Sequence, residues 1–374
     1  MTKLGVLFSV LGVGAGCIPA FAQKQLPNII VMLSDDQGWG DLGFTGNTFV
    51  QTPNIDRIAH EGTILENFYV CPVSSPTRAE LLTGRYLLRS GVNSTTGGGE
   101  RFNLGEKTIA EYFREAGYAT SLFGKWHSGT QYPYHPNARG FEEFYGFCSG
   151  HWGNYWNPVL EHNGEIISGE GFIIDDLTDK ALDYIRDHKE HPFFMFLSYN
   201  TPHSPMQVPD SWWNRVKDRT LSQRATFPEQ EDTTFTKAAL ALAENLDWNI
   251  GRVLSLLHSL DLEQETIVIY FSDNGPNSFR WNGGMKGRKG STDEGGVRSP
   301  FCIRWPGHIR KGAVETQLSG AIDLIPTLLG LAGIEYTPLR KLDGIDWGQR
   351  LLDEKAPAID RVLYSYWGGK TSVR

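Results

Sequence analysis

The sequence is poor in cysteine, and this limits the kinds of fold that it can form. Its 374 residues include four cysteines, one of which, Cys17, lies in an apolar N-terminal stretch. The other three, Cys71, Cys148 and Cys302, are an odd and widely spaced set. Such a set does not form a disulfide framework, and its spacing is not typical of a zinc-binding motif.

Positive charge is also scarce relative to negative charge. The chain has 35 Lys and Arg residues against 43 Asp and Glu residues, a formal net charge of −8. This balance argues against a nucleic-acid partner, because a surface that binds the phosphate backbone carries an excess of cations. It does not argue against a small anionic substrate, since a few local cations can reverse the field inside a pocket.

The chain lacks internal repeats, low-complexity tracts and any apolar run that predicts a stable membrane span. Residues 4–18 are apolar, but they are too short and too rich in glycine for a good span. Lys3 precedes this run and Ala-Phe-Ala follows at 20–22, so residues 1–22 are typical of a cleaved signal peptide. We therefore expect an exported protein, periplasmic or secreted. Lipoprotein anchoring through Cys17 is a lesser alternative, because the usual leucine three residues earlier is missing.

Short apolar runs alternate with helix patterns along the rest of the chain. Runs typical of buried strands occupy residues 27–33, 118–123, 192–199 and 266–271. Apolar residues at helical spacing lie between them, most clearly over residues 235–260. This alternation predicts an α/β fold with a mostly parallel central sheet flanked by helices on both faces.

We expect one catalytic domain over residues 23–345, with residues 346–374 beginning a smaller and incomplete C-terminal subdomain. Residues 130–171 and 210–234 show no clear period and are predicted to be irregular. In the first of these stretches, Trp152, Tyr155 and Trp156 form either a stacking platform for a sugar or aryl group or, as the safer interpretation, part of the core.

Polar groups directly follow two of the predicted strands. Asp35 and Asp36 come after the first strand, and Asp273 and Asn274 come after the fourth. Because the carboxyl ends of parallel strands meet at one edge of a sheet, these side chains should lie close together. Their oxygens suit Ca²⁺, or less well Mg²⁺, better than a soft transition metal. Each pair taken alone is equally typical of a solvated turn.

A small nucleophile is predicted at the start of a helix. Ser74 precedes Pro76 and a run of good helix formers, which places its hydroxyl beside the free backbone N–H groups of a helix N-terminus. Arg78 lies one turn further on, where its guanidinium can bind the same anion. An ordinary turn before a surface helix is the competing interpretation of this short motif.

Four further cations or proton donors occupy comparable places. Lys125 and His127 follow the second strand, His203 follows the third between two prolines, and Lys289 lies in a Gly-rich loop. Such donors would neutralise a tetrahedral oxyanion and protonate a leaving oxygen. Together with a metal ion, they imply an ester of an oxyacid, either phosphate or sulfate.

The run Ser74-x-Pro76-x-Arg78, followed by Leu81-Leu82-Thr83-Gly84-Arg85, resembles the signature of the type I, formylglycine-dependent sulfatases, which are arylsulfatase-like members of the alkaline phosphatase superfamily. The resemblance covers residues 26–345. Further blocks are similar to those of the family and stand in the family order: Asp35-Asp36-Gln37-Gly38-Trp39-Gly40, Gly124-Lys125-Trp126-His127, Thr201-Pro202-His203, Ser272-Asp273-Asn274-Gly275, Lys289 with Glu294-Gly295-Gly296-Val297-Arg298, and Asp323-Leu324-x-Pro326-Thr327-Leu328.

This resemblance implies hydrolysis of an aryl or carbohydrate sulfate monoester to an alcohol and inorganic sulfate. It implies a maturase partner that converts Ser74 to formylglycine, whose hydrate attacks sulfur. The implied ligands of a Ca²⁺ ion are Asp35, Asp36, position 74, Asp273 and Asn274. The implied catalytic roles are hydrate binding by Arg78 and Lys125, general base catalysis by His127, and sulfate binding with protonation of the leaving alcohol by Lys289 and His203.

Two features depart from the family pattern. Position 74 is Ser, where most members have Cys, and the sequence ends at Arg374, before the full C-terminal subdomain that members usually carry. An inactive sulfate-ester-binding homologue with unconverted Ser74 is therefore one alternative function. A phosphoesterase of the same fold is another, although such enzymes typically use two zinc ions and a His at the position of Asn274.

Overall fold

The computed structural model describes Met1, Thr2 and residues 26–374, so Cys17 and residues 3–22 of the predicted signal peptide lie outside the described residues. The strands are, in chain order, β1 (Asn28–Ser34), β2 (Thr63–Leu65), β3 (Phe68–Tyr69), β4 (Ala119–Lys125), β5 (Glu143–Phe147), β6 (Val159–His162), β7 (Glu165–Ser168), β8 (Phe193–Ser198), β9 (Thr266–Ser272), β10 (Phe301–Arg304), β11 (Ala313–Glu315), β12 (Ser319–Gly320), β13 (Tyr364–Trp367) and β14 (Lys370–Val373). The helices are α1 (Pro53–Glu61), α2 (Ser74–Thr83), α3 (Leu87–Ser90), α4 (Ile109–Glu115), α5 (Ile173–Asp187), α6 (Asp210–Val216), α7 (Thr233–Ser259), α8 (Glu294–Val297), α9 (Leu324–Ala332) and α10 (Gly348–Leu352).

A ten-stranded sheet runs through the described part of the chain in the order β11-β2-β10-β9-β1-β8-β4-β5-β6-β7. Strands β9, β1, β8, β4 and β5 pair in parallel. Strand β10 enters antiparallel on one side, and β6 and β7 continue antiparallel on the other. The predicted α/β class with a mostly parallel sheet is therefore confirmed.

The central strands are buried on both faces because their side chains alternate between two apolar layers. Ile29, Val31 and Leu33 of β1 face the core layer that α2, α4 and α9 cover. Ile30 and Met32 face the other layer, which α1, α5 and α7 cover. Fully burying one such side chain contributes about 1.5–3 kcal/mol. Helices on both faces explain why these strands are continuous apolar runs rather than alternating ones.

The prediction that residues 130–171 and 210–234 are irregular is wrong in part. The first stretch contains a 3-10 helix, Pro136–Arg139, and the strands β5, β6 and β7, while the second contains α6. Both β6 and β7 lie at the sheet edge with most side chains exposed, so they carry no buried apolar pattern. Backbone pairing to β5 specifies them instead.

The C-terminal segment joins the main body before it forms a small sheet of its own. Trp347 and Leu351 pack into the same core layer as α9. Beyond them, β13 and β14 form an antiparallel hairpin. An ion pair of 2.5 Å joins Arg361 to Asp323, and another of 3.0 Å joins Arg374 to Glu294. The domain boundary placed at residue 345 stays a prediction.

Among the described residues, no helix is both long and apolar enough to cross a membrane. Cys71, Cys148 and Cys302 are buried free thiols.

Candidate active site

The predicted site residues meet at the carboxyl ends of four neighbouring parallel strands. Asp35 and Asp36 directly follow β1, and Asp273 and Asn274 directly follow β9. Lys125 is the last residue of β4, the strand on the far side of β8. These five side chains are completely or almost completely buried.

Ser74 is the first residue of α2, as its position before Pro76 predicts. Its Oγ lies 3.2 Å from Oδ1 of Asp35 and 3.2 Å from Oδ1 of Asn274. A hydroxyl has one proton, so it can donate to only one of these acceptors at a time. Helix α2 ends at Gly84, whose φ of 65° is the left-handed conformation that closes a helix and that glycine adopts without strain. Ser74 thus stands where the ends of β1 and β9 converge.

Three ion pairs connect the carboxylates to the cations. Nζ of Lys125 lies 2.7 Å from Oδ2 of Asp35, and Nη2 of Arg78 lies 3.0 Å from Oδ2 of Asp273. Both pairs are fully buried, so removing one partner would leave a buried charge uncompensated. In the third pair, Nζ of Lys289 lies 2.6 Å from Oδ1 of Asp36.

We call the following residues the strand-end cluster: Asp35, Asp36, Ser74, Arg78, Lys125, Asp273, Asn274 and Lys289. Its three carboxylates and three permanent cations cancel. A bound divalent cation would therefore leave an excess of positive charge, which an oxyanion substrate would neutralise.

Burial and neighbouring charges set the ionisation of this cluster. Burial opposes the charge of Asp35, yet Lys125 and other nearby cations together hold its pKa well below the usual value. Burial and the neighbouring guanidinium of Arg78 lower the pKa of Lys125, although Asp35 opposes that shift. Burial and Asp35 raise the pKa of Asp273 to about 6. The attraction of the buried cations is therefore what keeps Asp35 ionised.

His127 lies on the wall of the site as a neutral imidazole. Burial and then the charge of Lys125 hold its pKa well below the usual value. Its Nε2 donates to the carbonyl of Thr95 at 2.8 Å, which leaves the lone pair on Nδ1. This buried Nδ1 has no hydrogen-bond partner among the described residues. The ring can therefore accept a proton at Nδ1, as a general base does.

His203 lies beside the carboxylate of Asp36. Its Nδ1 donates to the carbonyl of Ser204 at 2.7 Å, and its Nε2 lies 3.5 Å from Oδ2 of Asp36. The ring also stacks on His151, with 6.0 Å between the ring centroids. Nε2 of His203 is thus directed toward the carboxylate edge of the site.

The donor set fits a hard divalent cation. Ligand atoms of Asp35, Asp36 and His203 lie within 4.8 Å of one another. The amide of Asn274 is oriented by a bond from its Nδ2 to Oδ1 of Asp36 at 2.8 Å, which turns its Oδ1 toward Ser74. Carboxylate and amide oxygens that are buried and preoriented in this way suit Ca²⁺ or Mg²⁺.

Two site residues have unusual backbone conformations. Asp36 has a φ of 66° and His127 a φ of 62°, both in the left-handed region. Strand β4 ends at Lys125, and the chain turns at His127. Left-handed non-glycine residues cost on the order of 1–3 kcal/mol and cluster at functional sites.

Arg280, a residue that the sequence did not single out, holds the loop after β1. Its Nη2 donates to the carbonyl of Asp36 at 2.9 Å and pairs with Oδ2 of Asp41 at 2.7 Å. Both side chains are almost fully buried. In the sequence, Arg280 is a single arginine in a polar loop, and such a residue cannot be distinguished from a surface residue.

A cavity of about 530 Å³ opens onto Ser74. His127, His203 and Lys289 line it, as do residues that the sequence did not predict, including His151 and Trp367 of β13. A larger cavity of about 680 Å³, between α5 and the strands β5 to β7, contains none of the predicted site residues. The smaller cavity is therefore the one that the predicted site residues line.

The aromatic residues proposed as a stacking platform lie elsewhere. Tyr155 is fully buried, and its hydroxyl donates to the carbonyl of His203 at 2.7 Å. Trp152 stacks on Phe147, and Trp156 packs beside Phe172. None of the three lines the cavity at Ser74. The core interpretation is correct for Tyr155, and Trp367 is the aromatic residue that faces the cavity.

The open parallel sheet, the acidic cluster at its carboxyl edge and the helix N-terminus at Ser74 define an ester hydrolase of the alkaline phosphatase-like class. A family model described as sulfatase matches residues 27–334. The chain therefore belongs to the sulfatase family and is a sulfuric ester hydrolase.

Several known proteins that are similar to this chain are sulfatases. The N-acetylgalactosamine-6-sulfatase of Mus musculus is 32% identical over 402 residues, which cover 98% of this chain and 72% of that protein. Arylsulfatase D of Homo sapiens is 27% identical, and the match covers 94% of this chain and 73% of that protein. The crystal structure of Ps i-CgsB in complex with k-i-k-neocarrahexaose superposes with a TM-score of 0.84 at 31% identity, over 94% of this chain and 82% of that one.

Proposed function

We propose that this sulfatase removes sulfate from carbohydrate sulfate monoesters at the cavity above Ser74, after Ser74 has been converted to formylglycine. The observation that carries the proposal is the position of Ser74 Oγ, 3.2 Å from both Asp35 and Asn274 within a ring of three cations. Formylglycine would supply an aldehyde hydrate as the nucleophile at this point.

The metal in this proposal is Ca²⁺, and Mg²⁺ is the weaker alternative. Asp35, Asp36, Asp273, Asn274 and position 74 would hold it. When bound, it would polarise the sulfate group. Sulfatases are generally metal-dependent, and the buried oxygen donors described above support a hard cation.

The remaining side chains would do the chemistry. Arg78 and Lys125 place fixed positive charge beside position 74, where negative charge develops. His127 accepts a proton at its free Nδ1, while Lys289 and His203 bind the sulfate oxygens and deliver a proton to the leaving alcohol. These roles follow from reach and charge: Nζ of Lys289 and Nε2 of His203 both approach Asp36 from the cavity side.

A carbohydrate is favoured over a simple aryl group by two facts. Trp367 and His151 line the cavity and can contact a ring beyond the sulfate. In addition, relatives include an N-acetylgalactosamine-6-sulfatase and a structure complexed with k-i-k-neocarrahexaose. We propose further that the protein works outside the cytoplasm, because residues 1–22 are typical of a signal peptide.

Two measurements test the proposed function. Protein from its native host should hydrolyse aryl sulfate faster than aryl phosphate, and the peptide containing Ser74 should be lighter by two hydrogen atoms. The Ser74→Ala variant should be inactive. Ser75→Ala is the matched control, since Ser75 Oγ donates instead to the carbonyl of Ser94 at 3.0 Å. Faster phosphate hydrolysis, or activity with an unmodified serine, would contradict the proposal.

The carbohydrate assignment has a separate test. Trp367→Ala should raise KM for a sulfated galactosamine or carrageenan oligosaccharide and leave KM for a small aryl sulfate nearly unchanged. Equal effects on both substrates would show that Trp367 does not contact a sugar.

A further inference from the structure

Three potential metal ligands of mixed type meet at the edge of the sheet, away from the strand-end cluster. His135 lies before the 3-10 helix Pro136–Arg139, Cys148 directly follows β5, and Glu161 lies in β6. One ligand atom from each lies within 4.8 Å of the other two. We call these three residues the edge triad. Nothing in the sequence spacing indicates them, because thirteen positions separate each from the next.

The distance between sulfur and carboxylate is close to that of a metal site, whereas the imidazole and the carboxylate are in direct hydrogen-bond contact. Sγ of Cys148 lies 3.9 Å from Oε2 of Glu161, and Nε2 of His135 lies 2.5 Å from Oε1 of the same carboxylate. In a tetrahedral zinc site, Zn–S of about 2.3 Å and Zn–O of about 2.1 Å place sulfur and oxygen roughly 3.6 Å apart. A metal ion between the three groups would replace the hydrogen bond between His135 and Glu161, so the Glu161 carboxylate would turn away from the imidazole to admit it.

Charge also favours a cation here. Within the described part of the chain, Glu161 forms no ion pair with Lys or Arg, and its partners are the His135 ring and the Cys148 thiol. The side chains of His135 and Glu161 are 11% and 18% exposed, enough for a small ion to enter.

We propose that His135, Cys148 and Glu161 bind a borderline-soft divalent metal ion, with Zn²⁺ as the best match, and leave one coordination position for water. A thiolate, an imidazole and a carboxylate are typical zinc ligands, whereas Ca²⁺ prefers oxygen alone. The site is separate from the proposed function and would stand if that function were wrong.

The proton balance of binding is simple. Without metal, the backbone N–H of Asn137 donates to Nδ1 of His135 at 3.3 Å, so Nε2 carries the proton that Glu161 accepts. On binding, the thiol proton of Cys148 leaves to solvent and the imidazole proton moves from Nε2 to Nδ1. One proton is thus released for each metal ion, and the long bond from Asn137 is lost.

Backbone hydrogen bonds connect the edge triad to His127. The backbone N–H of His127 donates to the carbonyl of Cys148 at 3.2 Å, and that of Trp126 donates to the carbonyl of Phe147 at 3.0 Å. A metal ion at the edge triad would link β6 and the segment before the 3-10 helix to Cys148, whose carbonyl accepts from the backbone N–H of His127.

Cobalt titration of the full chain tests the proposal. With Ca²⁺ in excess to saturate oxygen sites, Co²⁺ should bind at one equivalent and produce a cobalt–thiolate charge-transfer band that Zn²⁺ abolishes. Cys148→Ser should remove the band, whereas the control Cys302→Ser, a buried thiol in β10, should keep it.

Glu161→Gln guards against misfolding of the cysteine variant, because it keeps the thiol and the side-chain shape. It should weaken Zn²⁺ binding by about 10-fold or more, measured by competition with a chelator. The proposal is overturned if wild-type protein shows no thiolate band, if the band survives in Cys148→Ser, or if Glu161→Gln binds Zn²⁺ as tightly as wild type.

Discussion

The strand-end cluster and the edge triad both gather buried polar groups at the same sheet, but they compensate charge in opposite ways. In the cluster, each of the three carboxylates has a permanent cation within about 3 Å. In the triad, the polar partners of Glu161 within residues 26–374 are a histidine and a thiol. The cluster is therefore organised before any metal binds, whereas the triad needs a cation to complete it.

The presence or absence of neighbouring cations shows how the surroundings of the ligands set the metal preference. Fixed cations around an all-oxygen donor set leave net positive charge once a hard ion is bound, which favours an anionic substrate. A thiol and an imidazole beside one carboxylate select a softer ion and leave little excess charge. Five experiments test this difference.

The largest effect should follow from Lys125→Met, which leaves Asp35 without its closest cation. We expect kcat/KM for aryl sulfate to fall about 10²–10³-fold and the free energy of unfolding to fall by about 3–5 kcal/mol. Urea denaturation and steady-state kinetics measure these. Lys107→Met is the control, because its partner Glu115 is 63% exposed and such a pair contributes at most about 1 kcal/mol. Equal stability of the two variants would contradict the claim that buried compensation organises the cluster.

Lys289→Met should reduce kcat/KM by about 10²-fold with little loss of stability, because Lys289 lies at the cavity wall and not beneath it. Lys286→Met is its matched control in the same loop. Lys286 is 79% exposed and pairs with Asp293, so kinetics should change less than about 2-fold. Similar losses in both variants would mean that the loop, and not the cation at Asp36, matters.

Metal removal should distinguish the strand-end cluster from the edge triad by the metal that each one requires. After treatment with a chelator, Ca²⁺ should restore hydrolysis and Zn²⁺ should not. At a metal concentration 100 times its Kd, bound Ca²⁺ should add about 2.7 kcal/mol to the free energy of unfolding. Recovery of full activity with Zn²⁺ alone would break the proposed division of metals between the cluster and the triad.

Much of the strand-end cluster could be predicted from the sequence because its residues follow long apolar strands. Strands β1, β8 and β9 are buried runs, and the position of a strand end fixes which residues meet. The edge triad could not be predicted in this way. Glu161 lies in β6, whose exposed side chains carry no pattern, and no spacing rule joins it to His135 or Cys148.

Site residues without chemistry of their own were also missed. Trp367 lies in a hairpin far along the chain, and only the folded C-terminal segment brings it to the cavity. Arg280 was missed because its partner Asp41 becomes apparent only when two loops are packed together.

Glu80 is a third kind of buried carboxyl, one that forms no ion pair with a cation of the described residues. It lies in α2, and burial raises its pKa from 4.5 to about 8. A raised pKa means that the folded state binds this proton more tightly than the unfolded state. The free energy of unfolding should therefore decrease as pH rises between these two values, by up to about 1.4 kcal/mol per pH unit.

Glu80→Gln should remove this pH dependence while keeping an acceptor for the backbone N–H of Leu87, which donates to Oε1 of Glu80 at 3.1 Å. Urea denaturation between about pH 5 and 8 measures the difference between the variant and wild type. A difference that stays constant across this range would show that Glu80 is already ionised.

The smallest effect should be that of Cys148→Ser on catalysis. The substitution leaves the backbone hydrogen bond from His127 to Cys148 in place. Without a metal at the edge triad, we therefore expect kcat to change less than about 3-fold, as for a typical surface substitution. With Ca²⁺ already bound at the strand-end cluster, added Zn²⁺ should change kcat of wild type and not of this variant. A Zn²⁺ effect on both would place the responsive metal elsewhere.

The left-handed backbone at Asp36 and His127 has a practical consequence for structural work. Asparagine adopts this conformation more readily than other non-glycine residues of its size. Asp36→Asn and His127→Asn would thus preserve the shape of the chain at both positions while removing a charge or a base. They are the replacements best suited to capture an intact substrate in a crystal, where alanine at either position would also distort the loop that carries it.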